Sequence, residues 1–246
     1  MKGDRMEERA RKRRSDRGPR VTDRDESALE WIAQQYAVSS DHLCILLARL
    51  IDPDEYAHQP NEAGILTEKR TAKVVKRWET LGLVERDWIL HGDPPWIWLT
   101  PEGLRTVAQE LGDLRPYTPT PATVNHLYWC NHARLSVEQR RKDAVWLSER
   151  QARAHHKSEP GVKRPHTPDA VVTTNGHEIA VEVELSTKTY PRLEKILQEF
   201  AESNYYSIWY FTLGRAKQVI ETALDAIQES DRSRFAVYDV EETELE

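Results

Sequence analysis

Two cysteines in 246 residues, Cys44 and Cys130, are too few and too far apart for a disulfide framework or a cysteine-based zinc site, which points to a reducing compartment. The 10 glycines are scattered singly and no Gly-x-x-x-x-Gly-Lys loop occurs, which excludes a nucleotide-hydrolysing motor. Neither a signal-peptide core nor an apolar run of membrane-spanning length is present, so the chain reads as a soluble cytoplasmic protein with no membrane partner. His-Glu-x-x-His and spaced Cys/His sets are missing. His155 and His156 are adjacent, so they point apart on a strand or stand about 100° apart on a helix, and zinc is not expected.

What is present suffices for real cores: 39% of the residues are apolar, and the length suits two ordinary domains. The net charge of −6 is unevenly spread. Residues 1–22 carry nine Lys or Arg against four acids, which reads as a disordered basic arm able to lie along phosphates. The other end, Asp239 to Glu246, is acidic and would repel a polyanion.

Residues 23–112 read as one unit. Leu29, Ile32, Ala33 and Tyr36 follow a helical spacing within Asp23–Ala37. Ser39 or Ser40 can cap a second helix carrying Leu43, Leu46, Leu47 and Leu50, with Pro53 as its stop. A third helix is expected from about Thr67 to Leu81, with Val74, Val75, Trp78 and Leu81 inward and Gly82 as its left-handed terminus. It bears Lys69, Arg70, Lys73, Lys76 and Arg77. Leu83–Arg86 is followed by Trp88–Leu90, a polar turn at His91–Pro95 and Trp96–Leu99, two short strands around the turn making a β-hairpin, and Thr100-Pro101 restarts a helix. Helix, helix, basic helix, hairpin and helix in that order resembles a winged helix-turn-helix domain, most closely in "LGLVER" and "WLTPEGLR". The resemblance implies that Lys69, Arg70, Lys73, Lys76 and Arg77 meet DNA phosphates or base edges. A long segment, Asp52 to Leu66, departs from the short turn of that motif. A C2 homodimer is the commonest form for such a DNA reader.

Residues 113–121, with Pro116, Pro119 and Pro121, form a linker that neither helix nor sheet accepts. In the second unit, 122–246, a helix is expected over Ala122–Arg141 with Val124, Leu127, Tyr128 and Leu135 apolar. A short strand follows at Ala144–Leu147, then helices at Arg192–Ala201 and Lys217–Ile227 and strands at Tyr205–Leu213 and Arg234–Val240. Between them lies the most informative stretch, Pro168 to Lys188. Ala170–Thr173 and Ile179–Leu185 are β-rich runs joined by Asn175-Gly176, a strong hairpin signal. Alternation puts Val181, Val183 and Leu185 on one face of the second strand and Glu182 and Glu184 on the other. The hairpin brings Asp169 towards them. A carboxylate cluster of this kind is the usual oxygen-ligand set for Mg²⁺, with Mn²⁺ as a substitute.

This hairpin resembles the PD-(D/E)xK nuclease superfamily, which implies a restriction-endonuclease-like α/β domain of α-β-β-β-α-β order. On that resemblance Asp169 and Glu182 are metal ligands together with the Val183 carbonyl. Glu184 fills the usual lysine position as third ligand or base, and Lys188 supplies a displaced positive charge. Most of residues 23–230, through "WLSERQAR", "HTPDAVV", "VEVELSTK" and "RLEKILQEF", is similar to the replication-relaxation family of actinobacterial plasmids and integrative elements. In that pattern Glu149 is a further acid of the site. The resemblance implies replication or processing of mobile-element DNA, with phosphodiester cleavage as one expectation and a non-catalytic regulator with a degenerate dimerisation domain as the alternative.

Overall fold

The structure, a computed structural model, describes residues 20–51, 64–111, 114–155, 166–186 and 188–243. The basic arm, Pro53 and most of the long Asp52–Leu66 segment lie outside the described residues.

The first unit opens with α1 (Asp23–Gln34), whose N-terminus is closed by a reciprocal bond pair between Thr22 and Asp25. After β1 (Val38–Ser39) and α2 (Ser40–Arg49) comes α3 (Glu68–Thr80), which buries Thr71, Val74, Val75 and Trp78. Gly82 leaves α3 with φ +71°, the left-handed turn expected of it. β2 (Val84–Asp87) and β3 (Trp96–Leu99) pair antiparallel, and β1 adds to β3, giving a sheet in the order β1-β3-β2. Trp88–Leu90, expected as strand, is loop. The Asp87 carboxylate accepts the Trp88 amide at 2.8 Å, which ends the ladder there. Thr100 caps α4 (Pro101–Thr106) by accepting from the Gly103 amide, and α5 (Ala108–Leu111) follows. A Cβ on Gly103 would stand 2.0 Å from the Leu83 carbonyl oxygen, so only glycine lets α4 lie against the chain entering β2.

The second unit begins with α6 (Val124–Arg140), then β4 (Val145–Ser148), α7 (Glu149–His155), β5 (Ala170–Thr174), β6 (His177–Glu184), α8 (Tyr190–Ala201), β7 (Ser207–Thr212), α9 (Arg215–Leu224), α10 (Glu229–Arg232) and β8 (Phe235–Asp239). The sheet order is β4-β5-β6-β7-β8. The β4–β5 and β5–β6 pairs are antiparallel, while β6–β7 and β7–β8 are parallel. Asn175 (φ +50°) and Gly176 (φ +75°) form the tight β5–β6 turn, as their sequence demands. On one face Val181, Val183, Trp209 and Phe211 pack with Ala133 and Val137 of α6. On the other, Ala180, Ile208 and Tyr210 pack with Leu193, Leu197 and Phe200 of α8 and Ile220 of α9. β6 is therefore covered on both faces, as parallel strands usually are.

α6 is shared between the units. Leu135 belongs to the first unit's core, and Val124 and Leu127 pack with Trp96 and Trp98 of β3. Polar bonds reinforce the contact: Asn131 donates to the Ala37 carbonyl at 2.9 Å, Trp146 to Gln35 at 3.1 Å, and Arg49 to the Leu135 carbonyl at 2.7 Å. Arg150 donates to the carbonyls of Ala33 and Arg115 and stacks over Tyr36. Among the described residues, no helix is long and apolar enough to cross a membrane.

Candidate functional site

Asp169 stands immediately before β5, and the pairing of Ala170 with Val181, continued one step, puts it across from Glu182. The Asp169 carboxylate is oriented at both oxygens. Oδ2 accepts the Val183 amide at 2.8 Å, and Oδ1 lies 3.1 Å from Nε2 of His126 on α6. The Asp169 carbonyl accepts the Glu149 amide at 2.8 Å, which seats the start of α7 beside the site. Glu149, the additional acid expected here, turns its carboxylate to Arg153 at 2.5 Å, and burial raises its pKa despite that partner.

Glu182 and Glu184 are buried, at 4% and 5% exposure, because α8 and α9 cover the face on which alternation places them. Glu182 Oε1 lies 2.9 Å from Nε2 of His166, whose own amide donates to Glu199 and whose ring meets Phe200 edge-on. Burial, with the charge of Asp169, pushes the Glu182 carboxyl up to about 7 against the pull of His166. The hydrogen bond that His166 makes to Glu182 raises its own pKa in turn. The two act as one hydrogen-bonded acid/base pair rather than two independent groups. Glu184 is ion-paired with Lys188 and accepts the Ser186 amide at 3.3 Å.

Tyr210, opposite Glu182 on β7, is 1% exposed, and its hydroxyl has no hydrogen-bond partner among the described residues. Burial, then the charges of Glu182, Glu184 and Asp169, holds this phenol well above its ordinary pKa. A buried hydroxyl without a partner costs about 1–3 kcal/mol, so it marks a donor left over by the fold. A cleft of about 310 Å³ borders the pair through His166, lined also by Glu199, Asn204 and Tyr205.

Asp169, Glu182, Glu184 and Lys188 thus sit around one end of β6. The three acids do not, however, make one three-ligand group. Among the described residues, the side chains that bring three candidate ligand atoms within 4.8 Å of one another are His126, Cys130 and Asp169. Cys130 Sγ is 3.4 Å from His126 Nε2. Mg²⁺ keeps to oxygen ligands, and this set offers it one carboxylate beside an imidazole and a thiol, while Glu182 and Glu184 are bonded to His166 and Lys188. The His126–Cys130–Asp169 set does not fit Mg²⁺. Reading the histidines and cysteines separately overlooked the pair, although His126 and Cys130 stand four residues apart on a helix and so share a face. His166, three residues before Asp169, and Tyr210, inside an apolar run, were not distinguishable as site residues from local pattern.

On α3, Lys69, Arg70, Lys73 and Lys76 are exposed, and Lys76 lies 3.7 Å from Glu79. Lys69, Lys73 and Lys76 form one stripe at i, i+4 and i+7. Arg77, expected beside them, turns inward instead to an ion pair with the fully buried Asp25 of α1. A buried carboxylate needs its counter-charge, so Arg77 is held by the first unit's own packing. Trp88 stands 62% exposed just beyond β2.

No family model and no curated protein matches the chain.

Proposed function

We propose that the protein binds DNA through its first unit, as a winged helix, and that its second unit hydrolyses the phosphodiester backbone with a nuclease-like site at the end of β6. The observation that carries this reading is the buried Glu182 carboxyl, bonded to His166 at 2.9 Å and across from Asp169, where burial pushes its pKa up to about 7. A group with a pKa near the working pH is the most effective proton acceptor for an attacking water. The order α6-β4-α7-β5-β6-α8-β7, which is α-β-β-β-α-β with α7 added between the first two strands, supports the nuclease-like assignment of the fold.

In this scheme a water oxygen attacks phosphorus in line and its proton passes to Glu182, while the bond from phosphorus to one sugar oxygen breaks and that oxygen is protonated from the solvent. The products are a phosphate monoester and a hydroxyl. Lys188, beside the end of β6, faces the charge that develops on the phosphate oxygens. The first unit supplies affinity: the Lys69, Lys73 and Lys76 stripe meets phosphates, with Arg70 beside it and Trp88 offering an aromatic face. A C2 dimer would present two such stripes to a palindromic duplex, and sedimentation-equilibrium ultracentrifugation with and without DNA reads its stoichiometry.

The test is Glu182→Gln, which keeps a hydrogen-bonding partner for His166 and removes the base. Nicking of supercoiled plasmid is expected to fall by about 10²-fold or more while gel retardation stays within about twofold. Equal nicking by both proteins would refute the assignment. One observation favours a second reading: Glu184 and Lys188 neutralise each other where the resemblance calls for a lysine. A regulator that binds DNA without cutting it would retard DNA in every condition and nick it in none.

A further inference from the structure

We infer that His126, Cys130 and Asp169 form a binding site for one transition-metal dication of borderline-soft character, Zn²⁺ or Co²⁺ in class, with an open coordination position. The inference concerns the ion and stands whether or not the chain cuts DNA.

The geometry is close to what such an ion needs. Bonds of about 2.1 Å to nitrogen and oxygen and about 2.3 Å to sulfur put neighbouring corners of a tetrahedron roughly 3.4–3.6 Å apart. His126 Nε2 and Asp169 Oδ1 are 3.1 Å apart, and Cys130 Sγ and His126 Nε2 3.4 Å. All three donor atoms fall within 4.8 Å of one another. Small rotations of side chains complete the three corners, and the fourth is left for water or a phosphate oxygen, the pattern of an open rather than a closed site.

The elements hold the ligands in place. His126 and Cys130 share one face of α6, a helix packed on both sides. Asp169 is fixed by the Val183 amide on the oxygen it does not turn to His126, the kind of outer bond that orients a ligating carboxylate. Binding releases the thiol proton to solvent as the sulfur–metal bond forms. The donor set of nitrogen, sulfur and oxygen selects against Mg²⁺ and Ca²⁺.

The experiment titrates Co²⁺ into chelator-treated full-length protein and follows the visible d–d bands and the near-ultraviolet thiolate-to-cobalt band. Binding of one Co²⁺ per chain with a thiolate band is expected, displaced by Zn²⁺ at equal concentration and left intact by a large excess of Mg²⁺. Cys130→Ser should abolish the thiolate band, which separates it from the buried Cys44 of the other unit. His126→Ala, at a side chain 45% exposed and so tolerant of truncation, should weaken Co²⁺ binding by more than about tenfold. Absence of the band in the wild type, its persistence in Cys130→Ser, unchanged affinity in His126→Ala, or displacement by Mg²⁺ would each overturn the assignment.

Discussion

Acid should loosen the junction between the two units through one residue, His42 of α2. Its ring is 1% exposed, bonded to Ser39 Oγ at 3.0 Å, tilted against Tyr128 with centroids 4.3 Å apart and edge-on to His132 at 5.8 Å, both on α6. Burial, only partly opposed by Asp41 and reinforced by His132, lowers its pKa from 6.5 to about 4. Asp41 is itself held by the Tyr128 hydroxyl at 3.0 Å. Since the folded state refuses a proton that the unfolded chain accepts, the stabilisation is complete above the unfolded pKa near 6.5 and declines as pH falls towards 4. One pKa unit corresponds to about 1.4 kcal/mol, so the whole effect is on the order of 3 kcal/mol, of which about 2 kcal/mol is lost between pH 7 and pH 5. Urea unfolding followed by tryptophan fluorescence at both pH values, for the wild type and His42→Gln, isolates this term because all other groups contribute to both proteins. The difference in stability between the two should narrow by about 2 kcal/mol on going to pH 5. A constant difference across that range would refute the reasoning.

Replacing Lys69 and Lys73 together by Glu should weaken DNA binding and reduce the slope of log affinity against log salt by about 2, since each phosphate contact contributes about 0.9, as measured by fluorescence anisotropy on a duplex. Tyr210→Phe should leave urea stability unchanged or raise it by about 1 kcal/mol, because the hydroxyl is buried without a partner among the described residues. Asp25→Ala removes both the α1 cap and the counter-charge of Arg77, and a loss of about 3 kcal/mol in urea unfolding is expected.

Much of the architecture is legible locally because each device acts over a few residues. Asn175-Gly176 specifies its turn, Gly82 ends α3, Thr100-Pro101 starts α4, and the apolar spacing of α3 and α8 matches the faces they bury. The approach of Asp169 to the acids is legible for the same reason: one tight hairpin sets the register. The environment of those acids is not. Alternation along β6 suggests a wet face, but β6 lies between β5 and β7, and helices from later in the chain cover Glu182 and Glu184. Long-range pairs are equally silent in the sequence. Arg77 reads as one more surface cation until Asp25, fifty-two positions away, claims it, and His126 acquires chemistry only when β5 brings Asp169 across a separation of forty-three. α6 blurs the expected boundary between the units because its apolar residues serve two cores at once.

The most direct test of a DNA-cleaving site at the end of β6 is a time course on an end-labelled duplex with wild-type protein and Asp169→Ala, run with Mn²⁺, Zn²⁺ or Mg²⁺ and scored for strand breaks and retardation in parallel. Strand breaks from the wild type, and retardation without breaks from Asp169→Ala, are the predicted result. Retardation by both proteins with breaks from neither, or breaks undiminished in Asp169→Ala, would contradict it.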